Sequence, residues 1–147
     1  MSANEIEVRV ARMTCEAVDI NAYELEAVGP EALPVFEAGS HVDVHLPNGL
    51  VRQYSLCGGP RHLGEGRYRI AVLKDPKTRG GSRAVHELNE GDSLRISAPR
   101  NLFKLSSTSS PSILLAGGIG VTPLLAMAYH LHAWSQEIGR ASCRERV

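Results

Sequence analysis

Asn48 and Gly49 separate two short runs in which apolar and polar residues alternate, and this pattern restricts the backbone strongly. Before the pair, Val42, Val44 and Leu46 alternate with Asp43 and His45; after it, residues 51–56 form the return run. Asn-Gly tolerates the positive φ angles of a tight turn, so it marks a hairpin. The same period recurs elsewhere. Ile6, Val8 and Val10 alternate with polar residues. A second run, 17–28, turns at 19–21 and closes at Gly29-Pro30. A strand at 67–73 follows the glycine-rich stretch 58–66, and residues 82–88 have the composition of a short helix. Asn89-Glu90-Gly91-Asp92 turns the chain into a strand at 93–98, which Pro99 ends. Short strands with close turn signals imply an antiparallel barrel over residues 1–105.

The pattern then changes. Residues 106–111, SSTSSP, have the composition of a linker or a surface loop. Residues 112–116 open on Ser112 and run on apolar without alternation, as in a strand covered on both faces of a parallel sheet. Gly117-Gly118-Ile119-Gly120 comes next, then Thr122, placed as an N-cap, and Pro123 at the first helical position. Leu124, Met127, Leu131, Trp134 and Ile138 recur at helical spacing and give one apolar face. Residues 112–138 are therefore expected to open a doubly wound α/β domain. One βα unit cannot cover its own faces, so the chain reads as truncated. The tail, 139–147, shows no strand pattern and is either foreign sequence or a polar loop.

The bulk numbers exclude several classes. The 147 residues are 43% hydrophobic and 22% charged, which suits a packed globule. Sixteen basic residues balance sixteen acidic ones, whereas a nucleic-acid surface needs a basic excess. No apolar run reaches the roughly 20 residues of a membrane span, and no signal peptide is visible, so the cytoplasm and no membrane partner are expected. Cys15, Cys57 and Cys143 form no metal-binding pair. The histidines at 41, 45, 62, 86, 130 and 132 are scattered, and Asp43, Asp75 and Asp92 lack partners at acid–base spacing. No metal site is expected.

Three stretches carry chemistry. In Arg52-Gln53-Tyr54-Ser55, alternation puts Arg52 and Tyr54 on one face and Gln53 and Ser55 on the other. An arginine fork suits a phosphate and a tyrosine ring can lie on a planar heterocycle. An outward arginine beside a core tyrosine would give the same pattern. In Thr78-Arg79-Gly80-Gly81-Ser82, two glycines let the backbone approach an anion; a flexible loop with Ser82 as a helix cap is the plain alternative. Ala116-Gly117-Gly118-Ile119-Gly120-Val121-Thr122-Pro123 stands where a dinucleotide-binding turn belongs, with Pro123 in place of the third glycine of the usual fingerprint. A tight turn needing glycine for steric reasons remains open.

In order and spacing, RQYSLCG, YRIAVLKD, TRGGS, APRNLF and LLAGGIGVTPLLAMA resemble the phthalate dioxygenase reductase and vanillate demethylase reductase branch of the ferredoxin-reductase-like flavoproteins. The resemblance covers roughly residues 5–137. It implies an antiparallel β-barrel flavin-binding domain followed by the first βα unit of a doubly wound α/β nucleotide-binding domain. It also implies roles. Arg52 would take the flavin phosphate with Gly80, Gly81 and Ser82, and Tyr54 would pack on the isoalloxazine beside Gln53. Ser55 would lie near N5, and Ala71, Val72 and Lys74 would line the flavin edge. Gly118, Gly120 and Thr122 would shape the nicotinamide side, Ser55 and Thr122 being closest to the chemistry.

The resembled branch is similar to FMN enzymes, in which the phosphate ends the ligand, and no aromatic stands out to hold the adenine of FAD, so the resemblance favours FMN. The implied reaction is hydride transfer from NAD(P)H to FMN, then single electrons to a [2Fe–2S] centre expected only in a missing C-terminal part. The implied partner is a terminal oxygenase, and a monomer is expected. The fragment alone is expected to be inactive. Two alternatives stay open: a two-domain flavin reductase with no iron–sulfur module, and a non-enzymatic barrel that binds an oligonucleotide or oligosaccharide.

Overall fold

A computed structural model describes residues 5–59, 66–77, 79–107 and 111–133, with the backbone of 140–142. Thr78, His62, Trp134, Ile138, Cys143 and residues 108–110 lie outside the described residues.

The strands are β1 (Glu5–Ala17), β2 (Ile20–Ala27), β3 (Ser40–His45), β4 (Val51–Ser55), β5 (Arg67–Leu73), β6 (Ser93–Ser97) and β7 (Arg100–Asn101). They form one antiparallel sheet with the order β4-β3-β6-β1-β2-β5, and β7 pairs with β3. Alternation decides which side faces in. Val8, Val10, Leu25, Val42, Val44, Ile70, Val72 and Ile96 are all at most 2% exposed and share one core with Tyr23 and Tyr68. The outer face carries ion pairs such as Arg9–Glu26 and Arg67–Glu24, worth little each in water. Asp19 takes the positive φ (58°) of the β1–β2 turn, which a short polar side chain tolerates.

The expected barrel is only partly realised. β4 and β5 end the strand path and come together without forming a ladder, so the rolled sheet is open at that seam. Among the described residues, one backbone bond crosses just past the end of β4, where Cys57 N–H donates to the Arg69 carbonyl at 2.8 Å.

β1 runs further than its apolar pattern does. Beyond Val10 it continues along β2 to Ala17, through two register shifts, on largely exposed residues. Backbone pairing to a neighbour, rather than burial, extends it. The short helix α1 (Gly81–His86) follows Gly80, whose φ is 97°, and no side chain caps it. Ser82 is thus not the cap; its Oγ accepts the Asp75 N–H at 3.1 Å.

The last part holds β8 (Leu114–Ala116), a 3-10 turn (Gly118–Gly120), helix α2 (Val121–Ala133) and β9 (Arg140–Ser142). β8 and β9 pair in parallel, with Leu115 opposite Ala141. The tail therefore contains a strand where none was expected, because ladder bonds need no apolar pattern. Ile113 and Leu115 are 81% and 74% exposed, so β8 is not covered on both faces. Thr122 lies inside α2 rather than at its cap, and its hydroxyl donates to the Ile119 carbonyl at 3.1 Å. The 3-10 turn carries the chain into the helix directly, which removes the need for a cap. Among the described residues, no helix is long and apolar enough to cross a membrane and no cluster could hold a metal.

Candidate functional site

The β3–β4 hairpin meets the loop before α1. Val44 pairs with Arg52 and Val42 with Tyr54, which puts the Arg52 and Tyr54 side chains on the inward face at the end of the sheet. Gln53 and Ser55 stand opposite Asp43 and His41 on the outer face. Arg52 then lies along Gly81. A Cβ built on Gly81 would stand 2.7 Å from Arg52 Nε and 2.9 Å from Cγ, so only glycine leaves the arginine this path. Arg52 Nη1 donates to the neighbouring Val51 carbonyl at 2.8 Å. Asn48, in the hairpin turn, donates from Nδ2 to the Gly80 carbonyl at 3.3 Å. The first two sequence stretches are therefore adjacent in space.

Tyr54 is half-buried against the core, and its burial raises the phenol above its ordinary pKa, with Arg52 opposing that shift. It therefore stays neutral over the physiological range.

α1 is also tied down at its far end. His86 Nε2 lies 2.8 Å from the Val72 carbonyl, and Asn21 Nδ2 lies 3.5 Å from His86 Nδ1. The amide can only donate to Nδ1, so Nε2 carries the proton and donates to Val72. His86 thereby joins α1 to the seam strand β5.

The third stretch comes close as well. The 3-10 turn of Gly118–Gly120 lies beside β5. Behind it, a Cβ on Gly59 would stand 2.9 Å from Tyr129 Cβ, so the segment after β4 packs directly on α2.

Not every expected residue is placed for its role. The Val72 side chain is 2% exposed in the core and its carbonyl is held by His86, so it offers no side chain to a ligand. Ala71 is half-buried on the other face of β5. Lys74 lines a hollow of about 200 Å³ with Asp19, Asp75, Pro76 and Arg83, and this hollow includes none of Arg52, Tyr54 and Ser55. The Thr122 hydroxyl is turned back onto its own turn. Three contributors escaped the sequence reading: Asn48, His86 and Gly59. In the sequence Asn48 reads only as a turn residue, and His86 has no partner nearby. The Cys57-Gly58-Gly59 run was the one available signal for Gly59.

No family model matches the chain. Over 153 aligned residues, 97% of the chain is 50% identical to a vanillate O-demethylase oxidoreductase of Pseudomonas putida. Another 48% match, over 87% of the chain, is to a putative toluene-4-sulfonate monooxygenase system reductase subunit of Comamonas testosteroni. Phthalate dioxygenase reductase, described as a modular structure for electron transfer from pyridine nucleotides to [2Fe–2S], superposes with a TM-score of 0.83 and 41% identity over 90% of this chain. The chain matches the N-terminal part of the vanillate demethylase and phthalate dioxygenase reductase branch. It spans 47%, 40% and 41% of these three proteins. The fold, an antiparallel ferredoxin-reductase-like sheet with an open seam, is that of the flavin-binding part of this branch.

Proposed function

We propose that this chain is the flavin-binding portion, with the opening of the nucleotide-binding domain, of an NAD(P)H-dependent reductase that serves a terminal oxygenase or demethylase. Residues 1–105 form the FMN-binding unit, 106–111 the linker and 112–138 the start of the NAD(P)-binding domain. The observation that carries the reading is the packing of Arg52 on Gly81, which brings a cationic fork to a glycine loop able to approach a phosphate closely.

The residues fit a flavin phosphate. The Arg52 fork faces the anion, the amides of Gly80 and Gly81 approach it without Cβ atoms, and the Ser82 hydroxyl proton is available while its oxygen holds Asp75. Tyr54 presents its ring to one side of the heterocycle. Edge backbone groups near Gln53, Ser55 and Ala71 meet the polar rim of the ring, and Ser55 lies toward N5. Gly118 and Gly120, beside β5, let a nicotinamide approach, with Thr122 fixing their turn. When bound, FMN supplies the redox chemistry, taking a hydride from NAD(P)H and releasing electrons singly toward a [2Fe–2S] centre elsewhere in the longer protein. The protein's part is to hold two planar rings in register and keep water from them.

The test is reconstitution. The purified chain, incubated with FMN and desalted, is expected to keep a flavin absorption spectrum, and the flavin released on denaturation is expected to be FMN. A preparation that stays colourless after saturation with FMN would contradict the reading.

A further inference from the structure

We infer that Asn48 is a positioning residue for the flavin phosphate, acting through Gly80; this rests on the FMN reading above. The left-handed position of the hairpin turn is Gly49 (φ 82°), while Asn48 has no positive φ, so the backbone conformation alone does not call for asparagine at 48. Its amide does more. Oδ1 accepts the Leu50 N–H at 3.1 Å, inside the turn, while Nδ2 donates to the Gly80 carbonyl at 3.3 Å, across to the loop. One partner is a donor and the other an acceptor, so a single orientation of the amide satisfies both.

The Gly80 carbonyl is held from a second side by the Ala84 N–H at 3.1 Å. A peptide is planar and trans, so its carbonyl and the next N–H point opposite ways in one plane. Anchoring the Gly80 carbonyl therefore aims the Gly81 N–H. Gly80 has a φ of 97° and no side chain, so restraint on this peptide comes through contacts to its backbone. The hairpin provides it twice, with Asn48 on Gly80 and Arg52 on Gly81. One rigid turn thus sets both the charge and the backbone donor of the phosphate site.

Two substitutions separate this role from the turn. Asn48→Asp keeps the acceptor for Leu50 N–H and an Asp-Gly turn, but faces the Gly80 carbonyl with an oxygen. Asn48→Ser keeps an oxygen in the turn, carries no charge and does not reach Gly80. The full chain would be titrated with FMN and with riboflavin, which lacks the phosphate. In both variants FMN affinity is expected to fall about three- to tenfold, as for loss of one hydrogen bond, while riboflavin affinity stays within about twofold. Unchanged FMN affinity in Asn48→Ser, or equal weakening of both flavins, would overturn the inference. A wild-type chain that binds both flavins equally would instead remove the phosphate reading, and this inference with it.

Discussion

The side chain of Arg52 occupies the space that any residue larger than glycine would need at position 81, a Cβ there standing 2.7 Å from Nε. The atoms in the way belong to a flexible side chain, so the fold can yield where the site cannot. Gly81→Ala is therefore expected to leave stability within about 1 kcal/mol and to weaken FMN roughly tenfold by displacing the fork. Urea unfolding read alongside FMN titration checks both halves.

Removing the fork itself is the stronger change. Arg52→Ala is expected to weaken FMN about ten- to a hundredfold, the range for losing charge-assisted hydrogen bonds to an anion. Stability should change little, because Arg52 is half-exposed and its hydrogen bond among the described residues goes to its neighbour's carbonyl. Equal losses in stability and in flavin retention would instead mark Arg52 as a packing residue.

Gly59 meets Tyr129 at the Cβ, which cannot swing away as a longer side chain can. Gly59→Ala is expected to destabilise the docking of α2 by about 1–3 kcal/mol, the usual cost of overpacking. Hydrogen exchange should then speed up across Val121–Ala133, while the amides of β2 and β5 keep their protection. Uniform loss of protection would contradict this.

Burial pushes the Cys57 thiol up to about 11. The folded chain thus keeps a proton that the unfolded chain releases above about pH 9, so this contribution is complete below pH 9 and is lost as pH rises toward 11. The loss should be of order 2 kcal/mol, and Cys57→Ala should flatten the decline of the urea midpoint over that window. Tyr68, raised to about 12 by burial, adds to the loss at still higher pH.

The strands were legible where one face is buried. Val8 and Val10, or Val42 and Val44, alternate because their neighbours face water. The second half of β1 and the short β9 were not, since backbone pairing holds them and side-chain pattern does not. Arg52, Gly80 and Gly81 were joined into one candidate site by the family resemblance, since an outward arginine and a flexible glycine loop read equally well from the residues alone. What holds them was hidden. Asn48 and His86 act through single hydrogen bonds to carbonyls distant in sequence, and no spacing rule encodes those. The open seam between β4 and β5 was equally hidden, because closure depends on the roll of the whole sheet rather than on either strand.

The most direct measurement is a pair of titrations of the wild-type chain, one with FMN and one with riboflavin, followed by quenching of flavin fluorescence. If Arg52 and the glycine loop grip a phosphate, FMN binds at least about tenfold more tightly than riboflavin at low salt, and the advantage disappears in Arg52→Ala. Indistinguishable affinities for the two flavins in the wild-type chain would contradict the account.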